Sequence, residues 1–163
     1  MSRSVSHYER TQIASMLHPA GAAVQEGVAV FLAPEGDASI QLYEQAVGPA
    51  LRANGLNRSE LVRVFDSDAA LVDASRWLAT AELIVADLSL PNDDLMYVRG
   101  LAHGLGRCPL MLVEQSGQLR FNLAGLRHVE FARTTPGMWK LRTDLSRAVR
   151  VFLAAAGAGG KGS

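Results

Sequence analysis

One cysteine, Cys108, stands alone among 163 residues, so no intrachain disulfide staples the fold. It lies just before an apolar run, where a small buried thiol is expected. Net charge is missing too: sixteen Lys and Arg offset sixteen Asp and Glu. Local patches aside, no overall field then draws the chain to nucleic acid or to an anionic membrane. No apolar stretch reaches the length of a membrane span, and MSRSVSHYER lacks the apolar segment of a signal peptide. A reducing, cytoplasmic setting is the expectation. The four histidines and one cysteine have no metal-ligand spacing, and no metal or cofactor is called for. No internal repeat is evident.

What is present is a globular composition. Hydrophobic residues make up 48% and charged residues 20% of a chain about one domain long. Residues 1–27 stand apart as an N-terminal arm. Ser6 and Glu9 have capping-box spacing, with Ile13, Met16 and Leu17 on one face of a short helix. The domain proper is expected over 28–155, and the Gly-rich 156–163 as a flexible tail.

Within the domain, strand and helix patterns alternate. Val28–Ala33 is a continuous apolar run, as in a strand covered on both faces. Ser39–Ala53 has helical spacing, with a kink or early end expected at Pro49. Leu61–Phe65 reads as a shorter, more polar strand near an edge, and Ala69–Ala81 as a helix. Leu83–Leu88, Pro109–Glu114 and His128–Ala132 complete five strands, with helices at Asp94–Leu105 and Met138–Ala155. This alternation predicts an α/β fold, a flavodoxin/Rossmann-like doubly wound parallel sheet of order 2-1-3-4-5. Ligands on such sheets sit beyond the carboxyl ends of the strands, at the switch point. Ala33–Asp37, Asp66–Asp68, Asp87–Asp94 and Glu114–Gly117 should then surround one crevice.

Two other α/β readings fail on the residues. A phosphorylatable receiver needs an acidic pair after the first strand and a lysine after the last. This chain has Ala33-Pro34-Glu35 and no such lysine. A dinucleotide-binding domain needs GxGxxG opening the first helix, whereas Gly104-Leu105-Gly106 follows a helix pattern.

The informative segment is ADLSLPNDDLMYVRGLAHGLGRCPLMLV, residues 86–113. It resembles the signature of nucleoside 2-deoxyribosyltransferase-like proteins, in which Ala-Asp-Leu-Ser/Thr leads through Asn-Pro-Asn to Tyr-Glu-Leu-Gly and a helix with Ala-His. Asp87, Asn92, Met96, Tyr97, Gly100, Ala102, His103 and Gly106 match without gaps. Weaker likeness extends over roughly 28–132 and includes Gly48-Pro49-Ala50-Leu51 and Arg120-Phe121-Asn122-Leu123. The resemblance implies retaining-glycosidase chemistry: a glutamate attacks the anomeric carbon, and an aspartate helps the base depart. Nucleotide hydrolases share this architecture, and the NAD-cleaving TIR domains are distantly similar. Family sites are completed across subunit interfaces, which implies a homo-oligomer.

At the nucleophile the likeness breaks. The family's Tyr-Glu-Leu-Gly is Tyr97-Val98-Arg99-Gly100 here, and valine carries no nucleophilic atom. Candidates for a relocated carboxylate are Asp87, Asp93 and Asp94, but attack geometry tolerates only about an ångström of misplacement. The expectation is a lapsed enzyme that binds a nucleoside or nucleotide, or serves as an assembly module with itself or another protein. The alternative is an active N-glycosidase or deoxyribosyltransferase using one of those carboxylates.

Each candidate ligand-binding residue carries two readings. Asp87, which ends the third strand just before the further candidate Ser89, binds a ribose hydroxyl or helps with proton transfer, or ties down the following loop through backbone N–H groups. Asn92, Asp93 and Asp94 line the crevice or simply cap and charge a helix N-terminus. Arg99 and His103 share a helix face and meet an anion, solvent or a subunit contact. Asp66 and Asp68 follow the second strand as ligand or turn residues. Ala33 and Pro34 close the first strand, and Tyr97 points into the crevice or packs beneath it.

Overall fold

A computed structural model of the chain describes residues 22–64, 68–90, 92–115 and 128–159. Its five strands are β1 (Gln25–Pro34), β2 (Arg58–Val64), β3 (Ala81–Asp87), β4 (Leu110–Glu114) and β5 (His128–Phe131). They form one sheet in the order β2-β1-β3-β4-β5, and every pairing is parallel. The doubly wound order expected from the alternating patterns is the one observed, with the more polar β2 at an edge.

Strand alternation explains why the apolar runs are continuous. Successive side chains point to opposite faces. Ala29, Phe31, Leu83, Val85, Leu110 and Leu112 enter one core, while Val28, Val30, Leu32, Ile84, Ala86 and Met111 enter the other. The first core is closed by α1 (Asp37–Leu42), a π-helical segment (Tyr43–Val47), α2 (Gly48–Arg52) and α5 (Thr135–Gly159). The second is closed by α3 (Asp68–Thr80) and α4 (Asp93–Gly104). Both faces of the central strands are therefore covered.

The helical pattern across Pro49 neither ends nor breaks there. Pro49 sits in the first turn of α2, directly after the π-helical segment. Proline donates no N–H and crowds the carbonyl four residues back. The wider i→i+5 turn loosens the ladder at that point, so the chain passes through.

Other details differ from expectation as well. β1 begins at Gln25, inside the segment assigned to the arm, because it pairs with β3 as far back as Ala81. At the other end α5 runs to Gly159, beyond the expected start of the tail. Cys108 is exposed rather than buried, since β4 starts only at Leu110 and leaves it in the connection from α4. The rest of the arm, including its Ser6–Glu9 box, lies outside the described residues.

The amino ends of the strands are pinned by polar contacts. Arg107 donates to the carbonyls of Ala81 and Glu82, and burial lowers its pKa. Glu82 accepts from the N–H of Gly27, whose φ of 74° lies in the left-handed region. None of the described helices is long and apolar enough to cross a membrane.

Candidate functional site

The crevice end of the sheet is built from residues that follow β3, β4 and β5. Asp87 is the last residue of β3 and is 1% exposed. Its Oδ1 accepts from the backbone N–H of Ser89 at 3.0 Å and from the Ser89 hydroxyl. Ser89 Oγ in turn accepts the N–H of Glu114 at 3.0 Å, tying the loop after β3 to the end of β4.

The other carboxylate oxygen of Asp87 is held by Arg133, two residues past β5. Arg133 Nη2 donates to Asp87 Oδ2 at 3.2 Å, and Nε donates to Glu114 Oε2 at 2.8 Å. Nη1 reaches the Ala38 carbonyl in α1 at 3.4 Å, and the guanidinium lies over the Phe131 ring, 5.4 Å from its centroid. One cation thus clasps the ends of three strands and the first helix. A carboxylate engaged on both oxygens and buried in this way has little freedom to attack a substrate.

What brings Arg133 there is the start of α5. Thr134 caps that helix, its Oγ1 accepting the N–H of Gly137 at 3.1 Å and its carbonyl the N–H of Met138 at 2.8 Å. A Cβ on Gly137 would overlap the Ala132 carbonyl and crowd Thr134. Only glycine allows the helix to approach the strand end so closely.

The remaining candidates fall into two groups. Asn92 is the N-cap of α4: its Oδ1 accepts the N–H of Leu95 at 2.7 Å, and its backbone is extended. Asp93 is exposed and Asp94 half-buried in the first turn, where negative charge meets the positive end of the helix. Tyr97 is 52% exposed, so it does not pack beneath the crevice. His103 is exposed and Arg99 half-buried on the same helix.

Val98 is 0% exposed and belongs to the second core, with Val28, Val30 and Ala102. Ala33 also turns its side chain into a core, and Pro34 is buried, so neither offers a side chain to the crevice. Asp66 and the Arg120–Leu123 turn lie outside the described residues, as does the side chain of Asp68. No group of three or more His, Cys, Asp or Glu among the described residues is placed to hold a metal ion.

Arg133 is not among the candidates legible in the sequence. Its signal was weak: a lone arginine just past a short strand, on the side where strand-end residues converge. The arginines of α5 that line a cavity with Ala50, Ala53 and Trp139 are likewise not among those candidates.

Compared with known proteins, the chain matches no family model and no curated sequence.

Proposed function

We propose that the chain is a catalytically lapsed domain of the nucleoside 2-deoxyribosyltransferase type, which works by binding a nucleoside or nucleotide or by assembly. The observation that carries this reading is Val98. Where the resemblance expects the attacking glutamate, an apolar side chain lies fully inside the second core. Asp87, the carboxylate that ends β3, already accepts from Ser89 and Arg133.

The test is chromatographic: free base released from a panel of nucleosides, deoxynucleotides and NAD. No release above an enzyme-free control is expected. Release would overturn the reading and favour the competing one, a relocated carboxylate. For that role Asp93 has the better exposure, and Asp93→Asn should then abolish the activity.

Assembly has its own support. Leu90, in the loop after β3, and Tyr97, in α4, are 58% and 52% exposed. Large apolar side chains at such positions are natural contacts for a second copy or a partner chain. Light scattering is expected to give a dimer at micromolar concentration, and a stable monomer there would count against self-association.

A further inference from the structure

Away from the crevice, α5 carries a second and chemically different surface. Its inward stripe, Leu141, Leu145 and Val149, is buried. The adjoining sector presents Trp139, Arg142, Arg147 and Arg150 to a groove of about 500 Å³ whose other wall is Ala50 and Ala53. The small side chains of α2 are what leave the space open. Asn54 fixes its shape, since its Nδ2 donates to the Ala50 carbonyl and to Ser146 Oγ, each at 2.8 Å, and so ties the end of α2 to α5.

The charges along this groove are unbalanced. Asp144 is the acidic residue of this part of the helix, and it already pairs with Lys140 and Arg147. Among the described residues neither Arg142 nor Arg150 meets a carboxylate. Eight residues separate them, about 12 Å along the axis at about 1.5 Å per residue. Trp139 stands at one end of this row, 70% exposed, between the groove and a second hollow lined by Gln45, Thr135 and Met138. A bare indole beside uncompensated guanidinium groups suits a ligand that is flat at one end and anionic at the other. The volume is that of a small-molecule site.

We propose that the groove between α2 and α5 binds a phosphorylated small molecule bearing an aromatic ring. The ring stacks on Trp139, and the phosphates pair with Arg142 and Arg150. This site is separate from the crevice and does not depend on the family reading.

The chain has two tryptophans, so Trp77→Phe leaves Trp139 as the sole indole reporter. In that background ADP, pyrophosphate and adenosine are titrated separately. ADP is expected to quench Trp139 saturably. Pyrophosphate should displace ADP, and adenosine alone should bind at least about tenfold more weakly, because it brings no charge to the arginines. Arg142→Ala with Arg150→Ala should raise the ADP midpoint at least about tenfold without moving the thermal transition, since both side chains are exposed. Trp139→Ala, followed by calorimetry, should keep pyrophosphate binding and lose the preference for ADP. The proposal is overturned if millimolar ADP leaves Trp139 unquenched, or if quenching survives removal of both arginines.

Discussion

Arg133 Nη2 lies 3.2 Å from Asp87 Oδ2, although 46 residues of chain separate the two. The pair joins β3 to the second residue past β5 across the intervening strand, and Glu114 at the end of that strand shares the same guanidinium. Strand ends on an open parallel sheet have no ladder partner beyond their last residue. Here side chains supply the missing ties, as a polar clasp that joins the carboxyl ends of β3, β4 and β5.

Removing the cation should therefore cost stability. Arg133→Ala leaves Asp87 buried with half its carboxylate unpaired. A fully buried pair broken this way loses about 3–5 kcal/mol. Arg133 is 25% exposed, so water offsets part of the loss, and about 2–3 kcal/mol is expected in urea unfolding. Asp87→Asn in the same background should recover part of it, because the remaining buried group no longer carries charge. A cycle of the four proteins with no coupling would show that the pair is incidental.

Gly137→Ala tests how the clasp is placed. The added methyl would overlap the Ala132 carbonyl, so the segment Ala132–Thr134 must shift. Overpacking of this kind costs about 1–3 kcal/mol. Chemical shifts at Asp87, Ser89 and Glu114 should move with the melting temperature, although none of these residues touches Gly137. Loss of stability without those shifts would place the strain elsewhere.

Asn92→Ala should lower stability by about 1 kcal/mol, since the Leu95 N–H loses its side-chain acceptor at the start of α4. Asn92→Asp retains the acceptor and should stay close to the parent in a thermal melt. If both variants behaved alike, the cap would contribute little and another role for Asn92 would gain weight.

The pattern of β1 and β3 carried most of the fold. Continuous apolar runs with two opposed faces demand helices on both sides, and the more polar β2 fits only an edge. Asn92 before an apolar helix likewise spells its own cap. Arg133 could not be found this way, because its partners are brought to it by three strand ends that no local periodicity relates. The same holds for Gly137, whose necessity comes from the Ala132 carbonyl of a neighbouring turn. At Pro49 the helical pattern does not end, since the proline falls in a first turn directly after a π-helical segment that its local sequence does not announce.

Val98→Glu tests the position at which the proposed family likeness expects a nucleophile. If the site were a pocket waiting for its glutamate, the variant would fold well at all pH values and gain base release. Val98 instead belongs to the buried core that also holds Val28, Val30, Leu95 and Ala102, so the carboxyl must enter an apolar core. Burial disfavours the ionised form and raises its folded pKa above the unfolded value of about 4.3. Below that value both states hold the proton, and the penalty is mostly that of an uncharged polar group. Above it the unfolded chain releases the proton before the folded one does, so stability falls as pH rises, until the raised folded pKa is passed. Urea unfolding at a series of pH values from 4 upward should show that decline in the variant relative to the parent chain. A flat difference with pH, together with new base release, would mean that the glutamate finds solvent and substrate, and the lapsed-enzyme reading would then describe a single reversible substitution rather than a rebuilt site.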